Sequence, residues 1–121
     1  NSEFGQKHYF DLAERRGQKV LDSMLKYMTA GPVFVFCIEG INAVENIRKM
    51  VGGTEPKTAT PGTIRGDFAH VSFAHADRES KAVENLIHAS GNIEEAKQEI
   101  KLWFEDSELH SYKTVHETHV F

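Results

Sequence analysis

Cysteine, proline and excess positive charge are all scarce in this sequence. One cysteine occurs among 121 residues, Cys37. It has no partner for an internal disulfide, which points to a reducing compartment and a cytoplasmic location. Its place in an apolar run marks it as a small buried filler. Only three prolines occur, and each stands at a boundary between elements. No apolar run approaches the ~20 residues of a membrane-spanning helix, so no membrane partner is expected. Lys and Arg number 14 against 18 Asp and Glu, for a formal net charge of -4. No general basic surface invites nucleic acid, so phosphate binding must rest on a few placed cations. Repeats and low-complexity tracts are missing too. With 40% hydrophobic residues there is enough for one core, and residues 1–121 read as a single domain.

Apolar periodicity organises the chain. Val20, Leu21, Met24, Leu25 and Met28 fall on one face of a helix over residues 14–28. Gly31-Pro32 stops it. Val33-Phe34-Val35-Phe36-Cys37-Ile38 is unbroken, β-branched and aromatic, and reads as a strand buried on both faces. Ile41, Val44, Ile47 and Val51 give a second helix over residues 42–51, ended by Gly52-Gly53, which tolerate positive φ. Residues 54–66 read as an ordered loop and residues 75–82 as an exposed polar stretch. Alternation over residues 69–74 predicts an edge or hairpin strand, and Asn85-Leu86-Ile87-His88 a short strand leading into a turn. The third helix is clearest. Asn92 caps it, Glu95 has capping-box spacing, and Ile93, Ala96, Ile100, Trp103 and Phe104 form its inward stripe.

Seven histidines invite a metal, but none shows ligand spacing. His116-Glu117-Thr118-His119 separates its histidines by three positions, whereas a zinc-protease helix needs i and i+4. No metal site of protein ligands is expected. His88 differs, because it ends an apolar strand beside a helix start, where free backbone N–H groups favour anions. A neutral imidazole is a nucleophile toward phosphorus when a partner fixes its tautomer, and Glu99 is placed to do so. The Gly- and Pro-containing loop over residues 54–66 carries Thr63 and Arg65, the preceding helix carries Arg48, and together they suit a phosphate clamp. Read one at a time, the arginines are ordinary surface charges and His88 an ordinary structural histidine. No Gly-x-x-x-x-Gly-Lys-Ser/Thr occurs, which excludes a P-loop.

Taken in order, several segments resemble the nucleoside diphosphate kinase family. They are His8-Tyr9, Leu25-Lys26-Tyr27-Met28, Gly31-Pro32-Val33, Glu39-Gly40-Ile41-Asn42-Ala43-Val44, Thr54-Glu55-Pro56, Asn85-Leu86-Ile87-His88-Ala89-Ser90 and residues 94–104. Pro61-Gly62-Thr63-Ile64-Arg65-Gly66-Asp67-Phe68 is the most specific of all. The resemblance implies phosphoryl exchange between nucleoside tri- and diphosphates by a ping-pong route. His88 matches the phosphorylated nucleophile, and Glu99 and Ser90 the pair that orients it. Arg48, Thr54 and Arg65 match the phosphate contacts, Asn85 the sugar contact, and Tyr9 a tyrosine at the phosphate end. Magnesium is implied as the cofactor, held mainly by the nucleotide phosphates. A homo-oligomer is implied, a hexamer built from dimers. The implied fold is α+β, a ferredoxin-like four-stranded antiparallel sheet covered by helices.

This sequence departs from the family pattern in four places. The opening strand with its Lys-Pro-Asp motif, the next helix and a second strand have no counterpart here. About half the sheet is therefore expected from these residues, and the natural protein is expected to continue N-terminally. The helical hairpin carries extra residues between Leu12 and Met24. Val20 stands in for the base-stacking phenylalanine, with Met24 as the other wall, so base specificity should be weak. An insertion separates Phe68 from Asn85, and Ala89 replaces a usual glycine, tolerable if its φ is negative. These departures leave a second reading open, a nucleotide-binding regulatory or assembly module without turnover. One observation tests the sheet assignment: Phe34 and Phe36 lying in water would defeat it.

Overall fold

A computed structural model describes residues 18–115 and 117–120. Tyr9, the opening of the first predicted helix and the side chain of Val20 lie outside the described residues. Helix α1 spans Gln18–Met28. It buries Leu21 and Leu25, the stripe that its periodicity requires. Its last turn closes through Thr29, whose N–H and hydroxyl both bond the Leu25 carbonyl, at 3.0 and 2.8 Å.

Residues 33–38 form no strand and carry no regular secondary structure. Phe34 is 88% exposed and Phe36 73% exposed, and Cys37 is exposed as well. The burial expected on both faces is overturned, and with it the reading of Cys37 as a buried filler. The physical reason is that a strand needs a partner ladder, and no described residue pairs with this run. Among the described residues there is no strand at all, so the four-stranded sheet is not formed by them.

Helix α2 spans Ala43–Val51. Asn42 precedes it at φ 50°, and the Asn46 side chain bonds the Ile41 carbonyl at 3.1 Å. Val51 is buried, whereas Ile41, expected inward, is half exposed. Gly52 ends the helix at φ 90°. A Cβ there would lie 2.4 Å from Thr63 Oγ1, so glycine is needed for both conformation and space. The following loop holds a 3-10 turn, Pro56–Thr58, and helix α3, Ile64–Phe68. Thr63 caps α3 by accepting the Gly66 N–H at 3.1 Å, and Asp67 Oδ1 accepts the Gly62 N–H at 2.7 Å.

Helix α4, Phe73–Arg78, replaces the end of the strand expected over residues 69–74. Ser72 caps it through the His75 N–H at 3.1 Å. Alternation over so short a stretch does not outweigh a helix cap followed by Ala74 and Ala76. Ser80 at φ 52° ends the helix, with the Lys81 N–H on the Ala76 carbonyl at 2.9 Å. Ala76 and Ala82 are buried, so residues 75–82 are not the wholly exposed stretch expected. The insertion is pinned to the 3-10 turn by Lys57 N–H to the Val71 carbonyl, 3.1 Å, and Phe73 N–H to Glu55 Oε1, 2.9 Å.

Helix α5 spans Ile93–Trp103, capped by Asn92, whose Oδ1 accepts the Glu95 N–H at 2.8 Å. The Glu95 carboxylate turns to the N–H of Gly91, so the capping box is shifted by one residue. Its stripe is half buried at Ala96, Ile100, Trp103 and Phe104, and Ile93 is exposed. A second 3-10 turn, Asp106–Glu108, and the short α6, Glu117–Val120, follow. No described helix is long and apolar enough to cross a membrane.

Candidate active site

The site is built around an irregular turn rather than a strand end. Residues 85–88, expected as a strand, instead bend at Leu86, whose φ is 70°. The Ile87 N–H bonds the Asn85 carbonyl at 2.9 Å across it. This is the rare γ turn with a positive central φ, an unfavourable conformation for leucine. Such backbone persists only where its surroundings over-determine it.

Arg65 supplies that constraint. The residue is buried, at 8% exposure, and its guanidinium forks onto carbonyls on both sides of the bend. Nε donates to Asn85 O at 3.3 Å and Nη2 to Ile87 O at 2.5 Å, while Nη1 reaches Gly52 O at 3.0 Å. A planar five-donor group suits such multiple acceptors in a way that an ammonium does not. The side chain expected as a phosphate clamp is thus also the brace of the turn. Asn85 adds a second tie, Nδ2 donating to the Thr54 carbonyl at 3.2 Å. Arg48, exposed near the end of α2, donates from Nη1 to the Ala89 carbonyl at 3.3 Å.

His88 follows the braced turn. Its Nε2 lies 2.8 Å from Glu99 Oε1, and the Ser90 hydroxyl donates to Glu99 Oε2 at 2.5 Å. An ionised carboxylate only accepts hydrogen bonds, so a neutral ring paired with one carries its proton on Nε2 and its in-plane lone pair on Nδ1. The imidazole is 41% exposed and the carboxylate 19% exposed. A reactive ring open to solvent on one side and oriented from the other is the arrangement nucleophilic catalysis requires. Ala89 is not among the positive-φ residues, so it fits where glycine was the usual residue. The helix start expected to offer open N–H groups to an anion has two of its nearby donors, Gly91 and Glu95, already engaged by α5 itself.

Of the expected site residues, His88 and Ser90 are both bonded to Glu99, and Arg48, Thr54, Arg65 and Asn85 lie around the same turn. Met24 lies half buried on α1, with no bond to this cluster. Leu86 was missed, because a leucine at positive φ leaves no trace in composition or periodicity. Among the described residues no group of three or more His, Cys, Asp or Glu side chains is placed to hold a metal ion.

A carboxylate-bonded histidine set among arginines and hydroxyls is an arrangement suited to phosphoryl transfer. The model of the family described as nucleoside diphosphate kinase matches residues 1–109. A nucleoside diphosphate kinase of Borreliella burgdorferi is 44% identical over 109 residues, covering 88% of this chain and 65% of that protein. The solved transition-state mimic of the Borrelia burgdorferi enzyme with bound vanadate and ADP matches with a TM-score of 0.91 and 40% identity. The match covers 99% of this chain and 73% of that one. A Halobacterium salinarum nucleoside diphosphate kinase in complex with CDP matches at a TM-score of 0.79 and 32% identity, over 100% of this chain and 72% of that one. The chain belongs to the nucleoside diphosphate kinase family, and its structure matches solved members of that family. It spans 65% of the Borreliella relative, less than two thirds.

Proposed function

We propose that this protein moves the terminal phosphoryl group of a nucleoside triphosphate to a nucleoside diphosphate through a phosphohistidine at His88. The observation that carries the reading is the bonded series Ser90–Glu99–His88. With the ring proton held on Nε2, the Nδ1 lone pair attacks the terminal phosphorus. An N–P bond forms, the bridging P–O bond breaks, and the nucleoside diphosphate leaves. A second diphosphate then attacks the phosphohistidine through a terminal oxygen and restores the neutral ring.

Glu99 stabilises the ring charge that develops as Nδ1 bonds to phosphorus, and Ser90 holds the carboxylate in place. Arg48 and Arg65 offset charge on the phosphoryl oxygens, Thr54 and Asn85 contact phosphate and sugar, and Tyr9 lines the phosphate end. Phosphoryl transfer depends mostly on such positioning and neutralisation. Magnesium carried on the nucleotide phosphates adds further positive charge. Val20 and Met24 wall the base by apolar contact, so adenine, guanine and pyrimidine nucleotides should react at comparable rates. The assembly is a homo-oligomer, a hexamer built from dimers, and a stable monomer in sedimentation at micromolar concentration would reject that part.

A nucleotide-binding module without turnover is the second reading. The engagement of Arg65 by three carbonyls favours it, since those donors are not pointed at a phosphate. Incubation with labelled nucleoside triphosphate and no acceptor separates the two. Under the enzyme reading, acid-labile label appears on His88, chases onto added diphosphate, and is lost in His88→Ala although nucleotide still binds. Nucleotide binding with no label on the unaltered protein leaves only the second reading.

A further inference from the structure

The insertion between Phe68 and Asn85 touches α1 at one well-formed hydrogen bond. Ser23, in the middle of α1, accepts the Ala82 backbone N–H on its hydroxyl at 2.7 Å. Ala82 is 7% exposed, so that N–H has little access to water and needs a protein acceptor. Packing alone does not fix the segment, because a cleft of ≈ 80 Å³ opens beside it, lined by Val71, His75, Ala76, Lys81, Ala82 and Glu84. Three residues beyond Ala82, Asn85 bonds the Thr54 carbonyl, and three further on lies His88. One residue beyond Ser23, on the other side of the bond, lies Met24.

We infer that Ser23 is a positioning residue for nucleotide binding. Its bond to Ala82 sets the spacing between α1, which carries the base walls Val20 and Met24, and the segment leading to Asn85 and His88. This rests on the proposed placement of the base against α1. Losing the bond leaves a buried N–H unsatisfied and lets α1 drift from the segment leading to Asn85 and His88. The phosphoryl-transfer centre is braced separately, by Arg65 and Glu99, so the effect falls on nucleotide affinity and not on the chemistry at His88.

The test is Ser23→Ala with ADP affinity measured by calorimetry, which needs no turnover. Affinity should weaken roughly fivefold, the equivalent of one net hydrogen bond. KM for nucleotide should rise in step, with kcat at saturation unchanged. Labelling of His88 by phosphoramidate, a donor with neither base nor sugar, should not change. Ser23→Thr keeps the acceptor and should restore affinity. Should Ser23→Ala fail to fold by circular dichroism, Ser23→Cys, a weaker acceptor of similar size, should give an intermediate loss. A folded Ser23→Ala or Ser23→Cys that binds ADP as tightly as the parent overturns the inference, as does a parallel fall in phosphoramidate labelling. Parent protein that binds ADP but takes no label from triphosphate would sink the enzyme reading alone, and the Ser23 comparison would still be decided by affinity.

Discussion

Two irregular stretches flank α2, and they are held in opposite ways. Residues 85–90 follow a strained course, yet side chains of Arg65, Arg48, Asn85 and Glu99 bond them or their neighbours at several points. Residues 33–38 include no positive φ, and no hydrogen bond within the described residues holds them. Their phenylalanines stand in water. The side-chain-to-backbone bonds on the turn come from Arg48 on α2 and Arg65 on α3, so its ties are supplied by elements present among the described residues. A strand's backbone and both its faces are satisfied only by other elements. The turn at Leu86 is therefore tied where it is strained, whereas residues 33–38 have no tie among the described residues.

The sharpest way to break this contrast is Arg65→Ala. It removes three donors from buried carbonyls and should cost about 3 kcal/mol of stability in urea unfolding, with labelling of His88 lost as the turn relaxes. Arg65→Lys should recover little, since one ammonium does not span the same carbonyls. An alanine variant as stable as the parent would mean that Arg65 does not brace the turn.

Glu99→Gln comes next. The amide is a weaker partner for the ring and the hydroxyl, and a charge-assisted bond is worth about 1.5–3 kcal/mol. Single-turnover labelling should slow by roughly ten- to a hundredfold, less than the complete loss in His88→Ala. An unchanged rate would remove Glu99 from its orienting role.

Leu86→Gly should act in the other direction on stability. Glycine adopts φ 70° without the penalty leucine bears there, a relief of about 1–2 kcal/mol, partly offset by glycine's greater freedom when unfolded. Thermal unfolding should shift upward by a few degrees, on the order of 0.5–1 kcal/mol, while labelling slows because the turn is less defined. A lower melting temperature would contradict strain at this residue. Smallest of all is Phe34→Ser combined with Phe36→Ser, which should stay within about 0.5 kcal/mol in this chain. A loss of several kcal/mol would reveal that another element covers these faces in the assembled protein.

Legibility in the sequence divides along the same line. Helices α1, α2 and α5 were readable because their stripes and caps are local: Leu21 and Leu25, Gly52, and Asn92 with Glu95. The pairing of His88 with Glu99 and Ser90 was readable by resemblance. Strand assignments at residues 33–38, 69–74 and 85–88 did not materialise. An apolar run states a preference for burial but not the identity of its cover, and a four-residue alternation does not separate a strand from the approach to a capped helix such as α4. The positive φ at Leu86 and the bond from Ala82 to Ser23 depend on contacts far apart in sequence and carry no compositional sign.

The most direct measurement concerns which ring nitrogen takes the phosphorus. With Nε2 bonded to Glu99 at 2.8 Å, the proposed mechanism requires attack from Nδ1. Protein carrying ¹⁵N-histidine, phosphorylated with nucleoside triphosphate and observed by ¹⁵N and ³¹P NMR, should show phosphorus coupled to Nδ1 of His88. Coupling to Nε2, or phosphate on any other residue with His88 unmodified, would contradict the orientation of the ring by Glu99 and the mechanism built on it.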